Sequence, residues 1–108
     1  MTNEIEEIEF NEAVEITNKN KTKFIWLGNE DLDQIAKLLK LDSSKLLKLM
    51  PMEIVNSSPE TINYLSKHVL VCYRGNTSKM VAKTLKSKYN IDTYSLKGGI
   101  TKIIGEVF

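Results

Sequence analysis

The chain has 108 residues and a formal net charge of +1, with 42% hydrophobic and 27% charged residues. This length suits one domain with a substantial core, and the composition is typical of a soluble globular protein rather than a disordered one. The small net charge gives no reason to expect nucleic acid or an anionic membrane as the main partner. No apolar run approaches membrane length, and the acidic start MTNEIEEIEF does not resemble a secretory signal, so we expect a cytoplasmic protein.

Hydrophobic patterning predicts strands and helices in alternation along the chain. In the first half we expect strands at 7–10, 24–27 and 52–55, and helices at 11–19 (capped by Asn11), 30–40 and 42–50, the last of them ended by Pro51. In the second half we expect a helix at 57–67, a strand at 68–73, a helix at 78–89, a strand at 92–96 and a closing helix at 98–108. This order predicts one α/β domain over residues 1–108 with a mainly parallel central sheet.

The only cysteine of the chain, Cys72, lies at the end of the strand predicted at 68–73. In parallel sheets, chemistry gathers at the carboxyl ends of the strands, although a cysteine in such a place is more often an inert core residue. A lone cysteine forms no internal disulfide and no cysteine-cluster zinc site, which fits a reducing compartment. The residue type alone leaves a reactive thiol and a core thiol both open.

The segment that follows Cys72 favours the reactive interpretation. The stretch CYRGNTS leads directly into a helix, and its glycine, Gly75, can take a backbone conformation closed to other residues. Residues 76–78 are turn-forming and helix-capping types, so backbone N–H groups can converge on one spot and hold an anion. Such a cradle stabilises a thiolate, and the only arginine of the chain, Arg74, adds a positive charge.

The only histidine, His68, is not expected to act as the base for Cys72. It stands four residues earlier on the same predicted strand, so the two Cα atoms should lie roughly 13 Å apart. We therefore interpret His68 as a strand-edge residue and do not expect a cysteine–histidine hydrolase.

A set of motifs in residues 68–103 supports a more specific interpretation. The apolar strand VLVC is followed by the loop CYRGNT, the helix SKMVAKTL, a further strand and the segment LKGGI. This pattern resembles a single rhodanese (sulfurtransferase) domain. The resemblance implies an α/β fold of about five strands with helices on both faces. It also implies an enzyme that moves a sulfane sulfur from thiosulfate or a persulfide donor to a thiophilic acceptor.

The resemblance also implies a site. Cys72 would carry the sulfur as a persulfide, and the loop around it would comprise Tyr73, Arg74, Gly75, Asn76, Thr77 and Ser78. Arg74 and Thr77 are similar to the residues of thiosulfate-using members, and Gly98 and Gly99 would form a tight turn beside the loop. The expected partners are a small sulfur donor such as thiosulfate and a protein sulfur donor or acceptor. No metal and no cofactor is expected.

The first half departs from this family, and two other functions stay open. Its Asp-x-Arg motif and its Gly-His-Ile-Pro-Gly-Ala-like segment are absent, and Trp26, which replaces the aspartate, is expected in the core. The chain could be a rhodanese-fold binding or regulatory module with little turnover. A cysteine-loop phosphatase or arsenate reductase is disfavoured because Ser78 stands where these enzymes have an arginine. A further expectation is that the apolar stripe is core or partly a partner-binding face; it consists of Leu38, Leu39, Leu46, Leu47 and Met50.

Overall fold

A computed structural model of the chain describes residues 5–105, which form a five-stranded parallel sheet with helices packed on both faces. The strands are β1 (Glu6–Ile8), β2 (Phe24–Trp26), β3 (Leu46–Lys48), β4 (Val69–Val71) and β5 (Tyr94–Leu96). The helices are α1 (Phe10–Asn20), α2 (Leu32–Leu39), α3 (Pro51–Val55), α4 (Pro59–Ile62), α5 (Asn76–Tyr89) and α6 (Gly99–Ile104). The α/β class, the five strands and the helices on both faces are as the sequence predicts.

The sheet places the end of β4 at the centre of one edge. The strand order is β1-β5-β4-β2-β3, and every neighbouring pair is parallel. All five carboxyl ends therefore lie along the same edge, with the end of β4 in the middle. Cys72 follows Val71 directly and so occupies that central position, which is where parallel α/β sheets bind their ligands.

Alternation along the strands divides the core into two layers. On one face, Trp26 and its neighbours in β2 and β4 pack with residues of α1, α2 and α6. On the other face, Leu70 and Cys72 pack with residues of α3, α4 and α5. The prediction that Trp26 is core is confirmed, because its side chain is fully buried. Cys72 therefore faces the layer that contains α5.

The prediction is wrong between residues 42 and 55. Residues 42–50 were expected as a helix, but Ser43–Lys45 is a short 3-10 turn and Leu46–Lys48 is the edge strand β3, paired with β2. Residues 52–55 were expected as a strand, but they belong to α3. Pro51 begins α3 instead of ending a helix, because proline suits a first helical position whose N–H has no partner in the helix.

Smaller differences occur at the two ends of the chain. The strand expected at 7–10 lies at Glu6–Ile8, and Phe10 already belongs to α1. The residue that caps α1 is Glu9 rather than Asn11, and its N–H donates to the Glu12 carboxylate at 3.4 Å. The closing helix runs over Gly99–Ile104, and the last three residues of its predicted range lie outside the described part of the chain.

The apolar stripe is mostly core. Leu39 and Leu46 are buried, Leu38 and Leu47 are partly buried, and Met50 is exposed.

Within residues 5–105, no helix combines the length and the apolar character needed to cross a membrane.

Candidate active site

The sulfur of Cys72 accepts hydrogen bonds from two backbone amides. The N–H of Gly75 donates to Sγ at 3.1 Å, and the N–H of Ser78 donates at 3.3 Å. Gly75 reaches this position with a φ of +93°, a value in the left-handed region that glycine takes without strain. The loop after β4 therefore turns two of its amides inward onto the sulfur.

Helix α5 strengthens this cradle. It begins at Asn76 and runs for 14 residues, so Ser78 contributes its amide from the first turn. The amino end of a helix carries a partial positive charge, which favours a negative charge placed beside it. An ionised sulfur on Cys72 gains from both the two hydrogen bonds and this charge.

The opposite side of the loop is held by α6. The N–H of Ile100 donates to the carbonyl oxygen of Cys72 at 2.9 Å, and the N–H of Thr101 donates to that of Tyr73 at 3.0 Å. These are amides of the first turn of α6, which have no carbonyl partner within their own helix. The segment after β5 thus fixes the backbone of the loop.

Two buried serine hydroxyls lie behind the sulfur. The Cys72 thiol donates to Ser78 Oγ at 3.4 Å, and Ser78 Oγ lies 2.7 Å from Ser95 Oγ on β5. Both serine side chains are 0% exposed. Ser95 is not among the site residues expected from the sequence. The feature that could have indicated it is a small polar residue inside a predicted strand, between Tyr94 and Leu96.

The polar face of the loop is open to solvent. Arg74 and Asn76 are exposed and Thr77 is partly buried. Within the described part of the chain, no ion pair or hydrogen bond engages the Arg74 side chain. Lys79, by contrast, lies 3.9 Å from a Glu7 carboxylate oxygen. Within the described residues, Arg74 therefore has no carboxylate partner, whereas Lys79 has one.

Tyr73 joins the loop to the segment after β2. Its hydroxyl donates to Glu30 Oε1 at 2.7 Å and accepts the N–H of Asn29 at 3.1 Å. Its ring meets the Trp26 ring edge to face, with centroids 5.1 Å apart. Burial raises the pKa of Tyr73, and its hydrogen bond to Glu30 raises the pKa further, so the hydroxyl stays a donor. The loop rim is therefore built partly by the divergent first half.

His68 lies at the opposite end of β4 from Cys72. Its Nδ1 donates to the Ser66 carbonyl oxygen at 3.2 Å. Burial lowers the pKa of His68, and the nearby positive charge of Lys23 acts in the same direction. The interpretation of His68 as a residue at the strand edge agrees with this position.

In the part of the chain that the structure describes, no group of three or more His, Cys, Asp or Glu side chains could hold a metal ion.

Solved structures resemble this chain over nearly its whole length. A rhodanese homologue from the extremely thermophilic bacterium Thermus thermophilus superposes with a TM-score of 0.60 at 14% identity, over 88% of this chain and 96% of its own. The fold is rhodanese-like. The protein SSP1007 from Staphylococcus saprophyticus matches the same rhodanese-like domain with a TM-score of 0.59 at 15% identity, over 95% of this chain and 96% of its own. Neither protein-family models nor curated protein sequences match the chain.

The rhodanese-like fold is kept although the first-half motifs are absent. Trp26 lies in the core at the position where the family resemblance predicts an aspartate. Its ring packs against the ring of Tyr73. The buried Ser78 side chain cannot clamp an oxyanion as the arginine of a cysteine-loop phosphatase does. The Cys72 loop is thus bordered by a first half that lacks those two motifs.

Proposed function

We propose that this rhodanese-like domain is a sulfurtransferase that carries a sulfane sulfur as a persulfide on Cys72. The observation that carries the proposal is the pair of amides, from Gly75 and Ser78, directed at the sulfur within 3.3 Å. A buried core cysteine needs no such donors. A cysteine that must ionise and hold sulfur needs them, because the charge is otherwise costly to bury.

The first half-reaction loads the cysteine. The Cys72 thiolate attacks the outer sulfur of thiosulfate, and a bond forms between Sγ and that sulfur. The sulfur–sulfur bond of thiosulfate breaks, and its electron pair leaves with sulfite. In the persulfide the negative charge lies mainly on the outer sulfur, and the positive amino end of α5 beside Cys72 favours that charge.

Arg74 supports this step through its charge. Thiosulfate is a dianion and sulfite is an anionic leaving group, and a guanidinium binds oxyanions through paired hydrogen bonds. Arg74 is exposed and unengaged within the described residues, so it can meet an incoming anion. The same charge also accommodates a protein persulfide, although that donor does not release an oxyanion.

The second half-reaction unloads the cysteine. A thiolate or cyanide attacks the outer sulfur of the persulfide, and the electron pair of the Sγ–S bond returns to Sγ. No proton needs to reach Cys72, because the cradle holds the regenerated thiolate. This cycle needs neither a metal nor a nearby imidazole.

A mass measurement tests the proposal. After incubation with thiosulfate, the wild-type protein should gain the mass of one sulfur atom and should then convert cyanide to thiocyanate. Cys72→Ser should do neither, while its unfolding temperature stays close to that of the wild type. A wild-type protein that takes no sulfur from thiosulfate or from a cysteine desulfurase would contradict the proposal.

One observation favours a second candidate, a rhodanese-fold binding or regulatory module. Only 3% of Cys72 is exposed, so a donor must reach a sulfur that lies below the loop surface. The loading experiment separates the two functions, because a binding module has no reason to accept sulfur at stoichiometric yield.

A further inference from the structure

Ser95 occupies a place in the sheet where an apolar residue would be expected. It lies on β5 between β1 and β4, and its side chain is completely buried. A buried hydroxyl is unfavourable unless it forms a hydrogen bond. Within the described part of the chain, the recorded partner of Ser95 Oγ is Ser78 Oγ, at 2.7 Å. Ser78 Oγ also contacts the Cys72 sulfur, so it links Ser95 to that sulfur.

The hydroxyl of Ser78 has one proton and two lone pairs, and three neighbours that compete for them. It lies 3.2 Å from the Gly75 carbonyl oxygen, 3.4 Å from Cys72 Sγ and 2.7 Å from Ser95 Oγ. A carbonyl oxygen only accepts. If Ser95 donates to it, Ser78 can donate to Gly75 and accept from both the neutral thiol and Ser95, which uses all of its capacity.

Ionisation of Cys72 changes this arrangement. The sulfur then has no proton to donate and instead accepts hydrogen bonds. Ser78 can turn its proton from the Gly75 carbonyl to the sulfur at little cost, because that carbonyl also accepts the Lys79 N–H at 3.2 Å. This response requires Ser95 to be the donor in the pair of serines. That direction also satisfies the buried Ser95 proton, for which Ser78 Oγ is the acceptor found within the described residues.

We propose that Ser95 is a positioning residue that donates to Ser78 and thereby commits the single Ser78 proton to the ionised sulfur of Cys72. A hydroxyl that accepts one hydrogen bond also becomes a stronger donor in the next. The sulfur then has a third donor besides the Gly75 and Ser78 amides. The inference rests on the proposed function in one respect: the ionised cysteine is the species that reacts.

The test compares variants that differ by the Ser95 hydroxyl alone. The probe is iodoacetamide at pH 7, which alkylates the thiolate of the single cysteine, and the absorbance at 240 nm reports the thiolate fraction. Ser95→Ala should lower the alkylation rate about threefold to tenfold, because it weakens but does not remove a charge-assisted hydrogen bond. Ser95→Thr should stay near the wild type, and Ser95→Val, of the same shape as threonine, should match Ser95→Ala.

A double-mutant cycle then asks whether Ser95 acts through Ser78. In a Ser78→Ala background, adding Ser95→Ala should leave the alkylation rate unchanged, whereas independent effects would add. Additive losses, or equal rates within the Ser/Ala and Thr/Val pairs, would overturn the inference. If Ser95→Ala does not fold, the Thr/Val pair supplies the comparison. Alkylation involves no sulfur transfer, so a protein that shows these rate ratios but takes up no sulfur contradicts the proposed function alone.

Discussion

Gly99 lies directly against the backbone of Cys72. A Cβ atom added to Gly99 would stand 2.6 Å from the Cys72 carbonyl oxygen and 2.5 Å from the Tyr73 carbonyl oxygen. Real Cβ atoms do not approach backbone oxygens so closely, and the φ of +65° at Gly99 is also unfavourable for any side chain. The second glycine of the LKGGI segment therefore sets how closely α6 can hold the Cys72 loop.

Gly99→Ala should displace that loop. We expect a loss of stability above the roughly 1–3 kcal/mol of the backbone strain alone, together with slower alkylation of Cys72. Gly105→Ala is the matched control, since Gly105 also has a positive φ of +77° but nothing lies within 4 Å of its added Cβ. Urea unfolding and iodoacetamide kinetics measure the two effects. Equal alkylation rates in both variants would show that α6 does not shape the loop.

Replacing Arg74 should separate the two kinds of sulfur donor. Arg74→Ala should lower kcat/KM for thiosulfate about tenfold, because a charge-assisted contact to the leaving oxyanion is lost. Transfer from a protein persulfide should fall less. Lys83→Ala is the control, as it removes one exposed positive charge from α5 and should leave both rates unchanged. An equal loss with both donors would mean that Arg74 shapes the loop instead.

Removing the Tyr73 hydroxyl should loosen the rim that the first half supplies. Tyr73→Phe deletes the donor to Glu30 and the acceptor for the Asn29 N–H. We expect about 1 kcal/mol less stability against urea, since the partner groups are left without that bond. Tyr64→Phe serves as the control, because Tyr64 is 53% exposed and no hydrogen bond joins its hydroxyl to another of the described residues. A similar loss in both variants would contradict the role of Tyr73.

His68 should make the protein less stable in mild acid. Its pKa is lowered in the folded state, so the unfolded chain binds the proton more readily than the folded one. Stability is then full above the unfolded value of 6.5 and falls as the pH drops through it. Urea unfolding at pH 7.5 and pH 5.5 should show this fall in the wild type. His68→Asn, which keeps a donor near the Ser66 carbonyl, should reduce it, and an unchanged fall would exclude His68 as its cause.

The second half of the fold could be predicted because local and global signals agree there. The apolar run at 69–71 forms a strand buried on both faces, and the Gly75 turn forms as the sequence predicts. The prediction for residues 42–55 was wrong for a physical reason. β3 is an edge strand of only three residues, which is too short to show the alternation of apolar and polar residues that predicts a strand. Its structure is decided by pairing with β2, where Leu46 lies beside Phe24.

The candidate site was only partly predictable. The amides of Gly75 and Ser78 follow from the turn and helix signals of their own segment. Ser95 and Glu30 lie 23 and 42 residues away from Cys72 along the chain, and their contacts depend on how the strands are ordered. No local sequence pattern shows the order of the strands in the sheet. A single serine in an otherwise apolar strand can, however, indicate a buried polar contact.

The pairing of β1 with β5 has a consequence for biosynthesis. These strands come from opposite ends of the described chain, and α6, which holds the Cys72 loop, follows β5. A chain emerging from the ribosome has made β4 and α5 well before it can add β5, insert it between β4 and β1, and dock α6. Until then, the carbonyl oxygens of Cys72 and Tyr73 have no Ile100 and Thr101 amides to bind. The loop that carries the thiol is therefore held in its final position only after residues 100 and 101 have left the exit tunnel.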